Sequence, residues 1–65
     1  MEKTYDVVLY MLNSPDVKLR VTQRQSKAGA RHAMRVLAGR GWQLERREDV
    51  HTCGELVMTM EVHRV

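Results

Sequence analysis

At 65 residues the chain makes one small domain, and a chain of about 60 residues buries only roughly 60% of its unfolded surface, so its hydrophobic margin is thin. Hydrophobic residues at 43% and charged residues at 29% exclude a disordered segment, and no run of about 18 apolar residues is present to cross a membrane. The single Cys53 excludes an internal disulfide, and the net charge of +3 is too modest to mark a dedicated nucleic-acid binder without a clustered patch.

The first element is "TYDVVLYML", residues 4 to 12, rich in β-branched and aromatic residues and therefore a strand. Tyr5, Val7, Leu9 and Met11 alternate with Val8, Tyr10 and Leu12, so both faces are apolar, the mark of a central strand. "NSPD", residues 13 to 16, is a turn, because Asn and Asp accept local backbone bonds and Pro15 presets φ. "DVKLRVTQRQ", residues 16 to 25, then alternates cleanly. Val17, Leu19 and Val21 point inward, while Lys18, Arg20, Thr22 and Arg24 form a basic outer face.

Ser26 is the expected N-cap of a helix from Lys27 to about Ala38. Ala30, Ala33, Met34 and Leu37 supply its core stripe, and the alanines let it lie close to what it covers. Lys27, Arg31 and Arg35 recur every fourth residue on the opposite side, with His32 nearby. Gly39 or Gly41 ends the helix in a left-handed conformation. Trp42 and Leu44 open a third strand, with Trp42 a core plug under the last helical turn. That strand becomes polar over Glu45, Arg46, Arg47, Glu48 and Asp49, a solvated charged stretch that discourages sheet-to-sheet aggregation. "HTCGE", residues 51 to 55, is a hairpin turn around Gly54, and "LVMTMEVHRV" closes the chain as a fourth strand. The five methionines are expected mainly as core filler.

These elements predict an α+β fold, ββαββ, with a four-stranded antiparallel sheet and one helix on one face. The crossover rule suggests the third strand beside the first, giving order 2-1-3-4. One helix leaves one face open. If the helix takes the other side, Val8, Tyr10 and Leu12 form an apolar interface there, rimmed by Arg20 and Arg24.

Catalytic chemistry finds no convergent set. Cys53 and His51 are two apart and share a strand face without facing each other, which is poor geometry for a nucleophile and its base. His51, Cys53 and His63 fail to converge as metal ligands on hairpin register. "GARHAMRVLAGRG" contains neither phosphate-cradling glycine pattern. No enzyme activity, cofactor or small-molecule substrate is therefore expected.

"LAGRGWQLERRED", residues 37 to 49, resembles the helix-end Gly-Trp motif of several small bacterial and phage domains, where a helix stops at Gly-Trp and leads into a β-hairpin. The resemblance covers about a fifth of the chain, is explained by helix capping, and carries over no functional residues. The compact, Arg-heavy composition is similar to small phage accessory proteins, which commonly bind a host protein. The expectation is a cytoplasmic, non-catalytic binding module that forms a homodimer or docks a protein partner. The alternative is a small dimeric nucleic-acid-binding protein using Lys18, Lys27, Arg31 and Arg35 on phosphates.

Overall fold

The computed structural model describes residues 3–44 and 49–63, the side chain of Leu44 excepted. Its elements are β1 (Tyr5–Met11), β2 (Ser14–Gln25), α1 (Lys27–Ala38), β3 (Gln43–Leu44), β4 (Val50–Cys53) and β5 (Leu56–Val62). They build the expected α+β domain, one antiparallel sheet with one helix, in the order β2-β1-β5-β4-β3. Four strands carry the sheet, and β3 adds a two-residue rim.

The strand order differs from expectation. β5 lies beside β1, paired from Tyr5↔Val62 to Met11↔Leu56, so the four expected strands run 2-1-4-3 rather than 2-1-3-4. Burial explains the choice. Residues 56 to 62 carry apolar groups on both faces, with Val57 4% and Met58 1% exposed, and such a strand belongs at the centre. The crossover rule fixes the hand of a connection between parallel strands and not how many strands it jumps. Here β2 and β3 run parallel at opposite edges, and α1 spans between them.

The connections are shorter than the sequence suggests. Leu12 and Asn13 form the first turn, so Pro15 and Asp16 lie within β2 instead of in the turn. Gly54 and Glu55 join β4 to β5, with Gly54 at φ 61°, where a side chain would be strained. His51 and Cys53, expected in that turn, are strand residues facing Met58 and Leu56. The charged run Glu45 to Glu48 lies outside the described residues.

The helix begins at the expected cap and stops at one of the two expected glycines, Gly39, whose ψ of −125° lies outside the left-handed helical conformation expected there. Ser26 Oγ accepts the Gly29 N–H at 3.0 Å, and Gly39, at φ 54°, donates its N–H to the Arg35 carbonyl at 3.1 Å. Its buried stripe is Ala30, Met34 and Ala38, with Ala33 partly buried, whereas Leu37 is 48% exposed and not the core residue expected. Met34 fills the centre of the core against Val7 and Met58, with Trp42 and Met60 packed around them. Met11 is the exception among the strand methionines, at 42% exposed.

The path of α1 decides what is left open. It leaves β2 at Gln25, which pairs with Tyr5, and reaches β3 at Gln43, which lies level with Tyr10 through Thr52 and Val57. The helix thus runs diagonally over the side of the sheet that carries Val7 and Leu9. It covers β1, β2 and β5 near the Tyr5 end of the β1–β2 hairpin and leaves that hairpin's tip bare on the same side.

Candidate interaction surface

The bare tip is apolar. Met11, Leu12, Val17 and Leu19 are 42%, 58%, 74% and 66% exposed, against a core whose central residues are sealed. Leu19 pairs with Leu9 and so points to the helix side, as the alternation of β2 predicts. Val17 and Leu19 were expected to be inward and are not buried, because the diagonal helix never reaches them. The Leu12 N–H donates to the Glu55 carbonyl at 2.9 Å, which brings the β4–β5 turn against the tip. Asp16 and Glu55, both exposed, give this corner two carboxylates with no partner among the described residues.

The face away from the helix is differently built. Val8 is only 1% exposed there, enclosed by Arg20 and Thr59 across the strands and by Asp6 and Tyr10 along its own. Tyr10 is half-buried, with the Lys18 ammonium 5.8 Å from its ring centre. Of the expected apolar contacts only Leu12 offers a large free surface, and it belongs to the hairpin tip. Arg20 and Arg24 are exposed on this side but bonded to neighbours.

Those bonds converge on Asp6, which alternation along β1 does not single out. Asp6 is 2% exposed. Its Oδ1 accepts the Arg24 backbone N–H at 3.0 Å, and its Oδ2 takes Arg20 Nε at 3.0 Å and His63 Nδ1 at 3.2 Å. The Arg24 N–H lowers its pKa most, against the burial that raises it, and His63 and Arg20 lower it further below the ordinary 3.8. Asp6 is therefore ionised, so His63 Nδ1 is the donor. His63 Nε2 then accepts from Arg24 Nε at 3.3 Å, and both ring nitrogens are engaged. Asp6, Arg20 and His63, with Gln23, Glu61 and Val62, line a cleft of about 470 Å³.

The local reason for this cluster is backbone. β2 slips register against β1 at three places, and within the one between Tyr5 and Val7 Arg24 takes φ 56°, uncommon for a side-chain-bearing residue. An N–H turned out of the ladder there needs an acceptor, and Asp6 supplies it. The same slips, with Pro15, Lys18 and Arg20, make β2 a poor template for an added strand despite its position at the sheet edge.

The four cations weighed for nucleic acid do not share a surface. Lys18 lies on the face away from the helix and pairs with Glu61 at 3.4 Å. Arg31 is half-buried and bonded, while Lys27 and Arg35 are exposed on the helix. Cys53 is exposed and His51 is 6% exposed on the helix side of β4, remote in the sheet from His63. Among the described residues no three metal-binding side chains cluster, and no helix is long and apolar enough to cross a membrane. No protein-family model, curated protein or solved structure matches the chain.

Proposed function

We propose that this protein is a non-catalytic binding module that docks a protein through the tip of its β1–β2 hairpin. The observation that carries this reading is the exposure of Val17 and Leu19, at 74% and 66%, beside Leu12 on one corner of a domain with little core to spare. Contiguous exposed apolar groups with a polar rim mark interaction sites in soluble proteins. The engagement of both His63 nitrogens and of both Asp6 oxygens by neighbours favours a structural role for the Asp6 cluster.

A photo-crosslinking side chain placed at position 19, with a control at exposed position 27, tests the reading in cells that produce the protein. Adducts formed from position 19 and absent from position 27 are expected. Equal labelling from both positions, or none from position 19, would end it.

A further inference from the structure

Six of the seven large hydrophobic side chains exposed among the described residues fall into two groups. Met11, Leu12, Val17 and Leu19 form the hairpin tip, with Asp16 and Glu55 as a negative rim. Val36 and Leu37, 66% and 48% exposed, occupy the last turns of α1 between Arg35 and Arg40, which are exposed and have no ion-pair partner among the described residues. One group is apolar with acids, the other apolar with bases. Each is the complement of the other.

We infer that these two surfaces bind each other between two copies of the chain, the tip of each copy seated on the helix end of its partner about a two-fold axis. A two-fold contact is closed when surface i meets j and j meets i, so both pairs are satisfied at once and no filament grows. This rests on the binding-module reading and specifies its partner as a second copy. Area supports the match. The exposed parts of the six side chains amount to roughly 200 to 400 Å² of apolar surface per copy. That is a reasonable apolar centre for an interface of about 800 Å² per partner. Charge supports it as well, since a like-charged pairing of tip with tip would set Asp16 and Glu55 against their own copies.

Sedimentation equilibrium of the intact chain is expected to show a dimer. Leu19→Asp and Val36→Asp, both at exposed positions, should each raise the dissociation constant about tenfold or more while far-UV circular dichroism stays near wild type. The decisive test exchanges charge. A chain with Asp16→Arg and Glu55→Arg should be monomeric, as should one with Arg35→Glu and Arg40→Glu, and an equimolar mixture should restore a heterodimer because both contacts again pair opposite signs. A monomeric wild type, or a mixture that stays monomeric, overturns the inference. Adducts from position 19 to a different protein would then still uphold the binding-module reading, whereas their absence would remove both.

Discussion

Met34 and Leu37 were equal members of the helical stripe by periodicity, and the structure separates them, so they form a paired test of how α1 is rotated. Met34 is 0% exposed at the centre of the core, and its truncation to Ala should cost about 2–5 kcal/mol in lost transfer energy and residual cavity. Leu37 is 48% exposed, so Leu37→Ala forfeits only about half of a burial worth roughly 1.5–3 kcal/mol and leaves no closed cavity, about 1 kcal/mol. A domain of this size has a total stability of about 3–10 kcal/mol, so Met34→Ala takes a large share of it. With a urea slope near 1 kcal/mol/M, the midpoint should fall by about 2 M or more for Met34→Ala and by about 1 M for Leu37→Ala. Circular dichroism at 222 nm follows the transition, and a Leu19→Asp background keeps the dimer from adding to either value. Equal midpoint losses for the two variants would mean that Leu37 is buried and the helix is rotated from the orientation described.

Two other outcomes follow from the caps and the Asp6 cluster. Asp6→Asn should destabilise the fold at neutral pH, because a carboxylate whose folded pKa lies below its unfolded value stabilises the fold above that unfolded value, 3.8. This stabilisation is lost as pH falls through the lower folded value, so the gap between wild type and Asp6→Asn should narrow in acid, and a gap that widens would contradict the assigned bonds. Ser26→Ala removes the oxygen that holds the Gly29 N–H and should cost about 1 kcal/mol in chemical denaturation, whereas Ser26→Thr should recover most of it.

Local features were legible because local physics decides them. The helix, its Ser26 and Gly39 caps and the Gly54 turn needed only a period, a hydroxyl and two residues free to take positive φ. Strand order was harder, since it compares strands with one another. The useful signal was the doubly apolar "LVMTM" set against the charged stretch after Leu44, and it outranks any crossover argument. Alternation along β2 assigned Val17 and Leu19 to the helix side but carried no information on whether the helix extends that far. Asp6 stood as one acid in "YDVVLY", a polar interruption that a buried strand tolerates only with partners. Those partners, Arg20, Arg24 and His63, are separated from it by up to 57 positions, beyond the reach of any local pattern.

Placing β5 next to β1 also shapes how the chain finds its fold. Tyr5↔Val62 and Met11↔Leu56 join segments from opposite ends of the sequence, and Met58, one of the buried core residues beneath the helix, belongs to the later one. Neither the β1–β2 hairpin nor α1 has its full hydrophobic counterpart until that late segment arrives, so loop closure over most of the chain precedes the largest gain in burial. Folding should therefore be slow for so short a polypeptide, with its barrier set by the docking of the β4–β5 hairpin rather than by formation of the helix.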